Sequence, residues 1–177
     1  KYRLGECSYY LGEFEKAVAQ LEAYTREYPG DKLIDWGYLQ LGESLIQVER
    51  FPEADGVLNK LLAASASDSI TGQAEYSLAL SLEKQQKLDA AVEAYRKVAR
   101  QNDVVRASRA LARAGTVRFR QQRYENAAAL YDQIASRFPE SRLAPSASLN
   151  AGLALYRVAN FEGAIRRFEQ VADDAAE

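Results

Sequence analysis

The sequence has no histidine, no methionine and a single cysteine, Cys7, in 177 residues. Without imidazole, the commonest general base, the commonest metal ligand and every histidine-based triad are excluded. One cysteine permits neither an internal disulfide nor a cysteine-based zinc site. The missing methionine suggests that residue 1 lies inside a longer chain. No apolar run reaches the roughly 18 residues of a membrane-spanning helix, and no signal-peptide pattern is present. Net charge is −2 and the isoelectric point about 5.4, so bulk attraction to nucleic acid or anionic membrane is not expected. What is present is 47% hydrophobic and 27% charged residues, enough for a domain with a real core.

The chain repeats itself. Phe14-Glu15-Lys16-Ala17-Val18 has counterparts at Phe51-Pro52-Glu53-Ala54-Asp55, Leu88-Asp89-Ala90-Ala91-Val92, Tyr124-Glu125-Asn126-Ala127-Ala128 and Phe161-Glu162-Gly163-Ala164-Ile165. The alanines are spaced by 37, 37, 36 and 37 residues. Two more ladders share that register: Gly5, Gly42, Ala79, Gly115, Gly152, and Leu21, Leu58, Tyr95, Tyr131, Phe168. Self-similarity at such a period is the signature of stacked repeats.

Each copy reads as two helices, A then B. Helix A carries the Gly/Ala position. Helix B starts at the bulky residue and shows apolar positions at helical spacing, as in Phe14, Ala17, Val18, Leu21 and Tyr24. A turn of a few residues makes the two antiparallel neighbours. Pro29 and Pro139 fall just past helix B, and Pro52 falls in the first turn of its helix. The small residues should let the B helix approach, and the bulky residue opening helix B should plug the gap between successive pairs. A large side chain at Ala17, Ala54, Ala91, Ala127 or Ala164 should overpack, at a cost of roughly 1–3 kcal/mol.

Leu41-Gly42…Phe51…Ala54…Leu58 and Gly115…Tyr124…Ala127…Tyr131…Pro139 resemble the tetratricopeptide repeat. The resemblance implies an all-α, right-handed α-α superhelical solenoid of about five helix-turn-helix repeats over residues 1–177, at about 1–31, 32–68, 69–103, 104–141 and 142–177. The unit is longer than the family's usual length of about 34 residues. The extra residues around Tyr28-Pro29-Gly30-Asp31 and Phe138-Pro139-Glu140-Ser141 resemble the repeats of bacterial cell-envelope proteins, the outer-membrane assembly lipoprotein and the Tol–Pal-associated protein. That implies a periplasmic or cell-envelope location, with the cytoplasm as the alternative.

In that architecture A helices line a concave wall where the family's ligands lie. The expected function is a non-catalytic protein–protein interaction scaffold that holds a peptide segment of a partner there. The positions expected to line it include an aromatic set, Tyr9, Trp36, Tyr76, Phe119 and Tyr156, that reads either as interface anchors or as core between A helices. Residues 100–123 hold seven arginines and one acid, Asp103. Arg106, Arg109, Arg113 and Arg120 fall within an arc of about 60° on one helix. Arg157 lies on the next A helix. Guanidinium suits carboxylate, so an acidic or C-terminal partner segment is the expected ligand; a solvated helix face is the alternative. In family members that clamp C-terminal carboxylates, two basic positions would fall on Arg109 and Arg113. The remaining clamp positions would fall on Leu39, Glu43 and Ser77, which do not match.

No cofactor or metal is expected. Acidic pairs such as Glu13/Glu15 and Asp173/Asp174 lack the loop spacing calcium needs. Cys7 shares its position with Ser44, Ser81, Val117 and Ala154, and should be a small, partly buried packing residue. Two further functions remain: self-association by stacking of open solenoid ends, and nucleic-acid binding by the arginine stripe of helix 104–121.

Overall fold

A computed structural model describes residues 1–64 and 67–174, with side chains through residue 172. The described residues form ten α-helices: α1 (Tyr2–Tyr10), α2 (Phe14–Glu27), α3 (Ile34–Gln47), α4 (Phe51–Ala63), α5 (Asp68–Lys84), α6 (Leu88–Val98), α7 (Val104–Arg120), α8 (Tyr124–Arg137), α9 (Ala144–Arg157) and α10 (Phe161–Asp174). They contain no strand, so the fold is an all-α, tetratricopeptide-like solenoid of A and B helices.

The helices divide into two compact units, Lys1–Lys87 and Leu88–Glu177. In the first, α1 to α5 each pack on the next, and the A helices α1, α3 and α5 lie side by side. In the second, α6 to α10 pack successively.

The small-residue ladders set helix spacing in both units. Ala17, Ala54, Ala91 and Ala127 are fully buried, and Ala164 nearly so. A methyl added to Gly5 would lie 2.6 Å from Leu21, one on Gly42 2.6 Å from Leu58, and one on Gly152 2.5 Å from Phe168. The ladder glycine of these A helices thus makes room for the bulky side chain of its own B helix, rather than for that helix's backbone. Gly37 does the same between repeats, against the Tyr24 ring at 2.7 Å.

A fourth ladder appears only in the backbone. Gly12, Glu49, Gln86, Gln122 and Ala159 all have φ between 58° and 75°. Each stops an A helix in the left-handed region. The next residue donates its N–H back across the end of the helix, as Arg50 does to the Leu45 carbonyl at 2.9 Å and Arg123 to that of Arg118 at 2.9 Å. This is the Schellman ending, which satisfies carbonyls that the last turn leaves open. Only the first repeat uses glycine there.

Three of the bulky residues that open helix B meet an aromatic ring of the A helix of their own repeat. Phe14 stands edge-on to Tyr9 at 6.2 Å, Tyr124 to Phe119 at 5.0 Å and Phe161 to Tyr156 at 5.5 Å. Each pair closes its own A–B hairpin, because the Schellman turn brings the two positions together.

Candidate functional site

The expected ligand-lining residues fall into two groups, one in each unit. Tyr9, Trp36 and Tyr76 belong to the first. Arg109, Arg113, Phe119, Arg120, Tyr156 and Arg157 belong to the second.

In the first unit the A-helix wall is tied together by Glu43 on α3. Its carboxylate accepts from the Tyr9 hydroxyl of α1 at 2.7 Å, from Ser77 Oγ of α5 at 2.9 Å and from Gln73 Nε2 of α5 at 3.1 Å. Burial, and after it the Glu43 charge, push the Tyr9 phenol well above its ordinary pKa. Tyr9 therefore acts as a strut between repeats, with its ring half-buried against Tyr10 and Phe14. Trp36 is 40% exposed at the start of α3. Tyr76 is half-buried and engaged in a contact of its own. A shallow groove on this unit is lined by Thr25, Tyr38, Leu41 and Val57, with the Lys60 ammonium 4.7 Å from the Tyr38 ring centroid.

In the second unit the arginines of α7 sort by face. Arg118 is buried; its guanidinium pairs with Asp89 of α6 and donates to Gln121 Oε1 at 2.8 Å. Arg123 adds a second bond to Asp89 at 2.8 Å. The Arg118 hydrogen bond, above all, holds the Asp89 carboxyl below its ordinary pKa. Arg106 is half-buried, with its guanidinium 3.3 Å from Asp103, whose other oxygen caps α7 by accepting the Arg106 N–H at 2.8 Å. Arg109, Arg113 and Arg120 remain on one exposed face of α7, each with an interaction inside the chain. Arg157 and Tyr156 are exposed at the end of α9, and Phe119 is half-buried beneath Tyr124.

Cys7 departs from expectation. It is exposed, whereas Ser44, Ser81, Val117 and Ala154 at the same repeat position are fully buried. The cause is its place on α1, which has no described repeat packed against that side. Sequence reading also passed over the role of Glu43. Its signal was a spacing of 34 residues to both Tyr9 and Ser77, one repeat less about a helical turn. Among the described residues no three metal-ligating side chains cluster, and no helix is long and apolar enough to cross a membrane. The Asp173/Asp174 pair lies outside the described side chains.

The tetratricopeptide repeat profile matches residues 39–104 and 76–142, and a second profile of that description matches residues 1–31. Solved structures share the fold. One titled "Crystal structure of MamA" aligns with a TM-score of 0.74 at 19% identity over 97% of this chain and 94% of that one. Another, "MamA 41-end from Desulfovibrio magneticus RS-1", aligns with a TM-score of 0.72 at 18% identity over 97% and 92%. No curated protein matches the sequence.

Proposed function

The chain belongs to the tetratricopeptide repeat family, and on that premise we propose that it is a non-catalytic scaffold whose A-helix face in the second unit holds an acidic peptide segment of a protein partner. The observation that carries this reading is the sorting of the arginines of α7 and of the turn after it. Arg118 and Arg123 are consumed by Asp89, while Arg109, Arg113 and Arg120 stay together on the exposed face. Arg157, Tyr156 and Phe119 supply a further cation and aromatic surface on the same unit, chemistry suited to a wet peptide interface. In the first unit, Trp36, the most exposed of its three aromatics, is a further contact for a partner, with Tyr76 and Tyr9 half-buried beside their own partners.

A fluorescein-labelled peptide rich in glutamate and ending in a free carboxylate is the probe. Arg109→Glu with Arg113→Glu should weaken its binding at least tenfold, since hydrogen bonds to charged groups contribute about 1.5–3 kcal/mol each. Unchanged affinity would remove the stripe from the mechanism. Tighter binding of a single-stranded oligonucleotide than of the peptide, with steep salt dependence, would favour nucleic acid instead.

A second reading, self-association, rests on exposed apolar side chains. Leu4 of α1 and Leu149, Leu153 and Ile165 of α9 and α10 are exposed apolar side chains, and such faces associate. Light scattering that shows mass rising with concentration supports it; constant mass contradicts it.

A further inference from the structure

The shallow groove of the first unit is a furrow between the B helices α2 and α4, floored by Tyr38 and Leu41 of α3. Its volume is about 480 Å³, the size of a ligand pocket. A furrow at the same place between α6 and α8 in the second unit holds only about 130 Å³. There Ala129 and Gln133 stand at the repeat positions of Gly56 and Lys60, and Arg96 at that of Glu22. The furrow of the first unit is therefore both roomier and differently charged.

Gly56, in the α4 wall, has no packing reason to be glycine. It lies inside the helix, where glycine costs stability relative to alanine. Gly5, Gly37, Gly42, Gly115 and Gly152 each sit against a side chain that an added methyl would approach to 2.5–2.7 Å. Nothing stands within 4 Å of a methyl on Gly56. Its counterparts in the other repeats are Ala19, Glu93, Ala129 and Arg166. What a glycine does serve at such a site is the close approach of another backbone along the furrow. The charges are sorted along the same furrow. At one end, Arg50 Nη2 holds Glu22 at 3.2 Å and Glu53 at 2.6 Å, which leaves one net negative charge. About one turn further along α2 stands Arg26, and about two turns further along α4 stands Lys60, its ammonium 4.7 Å from the Tyr38 ring centroid. Both side chains are exposed, so the second end is positive.

We propose that this furrow takes an amphipathic helix of a partner protein, lying antiparallel to α2 and α4. The two walls run the same way, because Arg50 joins the acids that precede Arg26 on one and Lys60 on the other. The partner's backbone passes Gly56, and its apolar side chains rest on Tyr38, Leu41 and Val57. Helices favour acids in the first turn and bases in the last, where they complement the macrodipole. The antiparallel direction brings the acidic turn to Arg26 and Lys60 and the basic turn to Glu22 and Glu53. The C-terminal carbonyls of α2 and α4 favour the same direction. From Glu53 to Lys60 the furrow spans about 10.5 Å, so the contact face of the partner covers about two turns. It carries an acid at i, apolar side chains at i+3 and i+4, and a base at i+7, positions that share one helix face. This surface belongs to the first unit and needs nothing of the α7 arginines.

A displayed library of alanine-rich helical peptides, randomised at i, i+3, i+4 and i+7, tests this by selection on the whole chain, with the Gly56→Leu variant as counter-selection. Leucine at that exposed site fills the furrow, and a thermal melt confirms that the variant is folded. Enriched peptides should carry Asp or Glu at i, aliphatic or aromatic residues at i+3 and i+4, and Lys or Arg at i+7. The best of them, labelled with fluorescein, should bind about tenfold or more weakly to Gly56→Leu and to the Arg26→Glu, Lys60→Glu variant. Exchanging its acid and base should recover binding to the Arg26→Glu, Lys60→Glu variant. Its affinity for the Arg109→Glu, Arg113→Glu variant should be unchanged. No enrichment over the counter-selection, or an enriched pattern without the acid at i, overturns the helix-binding furrow. Loss of binding in the Arg109→Glu, Arg113→Glu variant alone moves the peptide to α7, which overturns this surface and supports the reading above. Decanoate that binds the chain and not Gly56→Leu, while no peptide is enriched, assigns the furrow to a small apolar anion and overturns the helix.

Discussion

Gly115 on α7 lies beneath the Tyr131 ring of α8: a methyl added to it would stand 2.7 Å from Cε1. That contact sets the distance between the A and B helices of one repeat. Tyr131 is buried there, with its hydroxyl 3.1 Å from Thr116 Oγ1. Gly115→Ala should therefore destabilise the protein by roughly 1–3 kcal/mol, the cost of overpacking a core site. Gly56, exposed on α4 with nothing within 4 Å of an added methyl, is the contrast. Gly56→Ala should stabilise by about 0.5–1 kcal/mol through backbone entropy. Urea unfolding of the two variants checks opposite signs for the same chemical change.

The left-handed turn residues make a second pair of opposites. Glu49 and Gln86 hold φ of 61° with a side chain present, whereas Gly12 holds 75° without one. Glu49→Gly or Gln86→Gly should raise stability by about 0.5–1 kcal/mol, and Gly12→Ala should lower it by about 1 kcal/mol. Melting temperatures should order accordingly.

The Glu43 hub predicts coupling between repeats. Tyr9→Phe should cost about 1 kcal/mol, and Glu43→Leu more, since Tyr9, Gln73 and Ser77 all lose their acceptor. In a double-mutant cycle the two changes should be less than additive. Strict additivity would mean that the bond contributes nothing to stability.

Stability should be flat between roughly pH 5 and 9, because no histidine titrates in that window. Burial raises the phenol pKa of Tyr2, Tyr9 and Tyr131, and pushes Tyr24 up to about 12. The folded state favours the protonated phenol. That contribution is complete below the unfolded value near 10 and is lost as pH rises through the folded values. Asp89, bonded to Arg118, and Glu53, bonded to Arg50, have lowered pKa values. Their contribution is present above the unfolded carboxylate values near 4 and disappears as pH falls through the folded ones. Unfolding midpoints across pH 3–11 should trace a plateau with losses at both ends.

The sequence revealed the repeat period, the helix pairs and the buried alanines, because close packing leaves a size constraint at a fixed spacing. It did not reveal the left-handed turns, since four of the five carry Glu, Gln or Ala and only Gly12 signals its conformation. It did not show that Phe14, Tyr124 and Phe161 meet Tyr9, Phe119 and Tyr156 of their own hairpins, because helical periodicity says which face is apolar but not which neighbour that face meets. Cys7 was misread for a related reason: its repeat position is buried wherever a preceding repeat covers it, and α1 has no described repeat on that side. The arginine stripe was legible as a face of α7. The diversion of Arg118 and Arg123 to Asp89 was not, since it depends on α6 packing against α7.

Amide hydrogen exchange of the chain with and without the glutamate-rich peptide tests the proposed binding face most directly. The predicted result is added protection on α7 and α9, abolished in the Arg109→Glu, Arg113→Glu variant. Protection confined to α6 and α8, or unchanged in that variant, would contradict it.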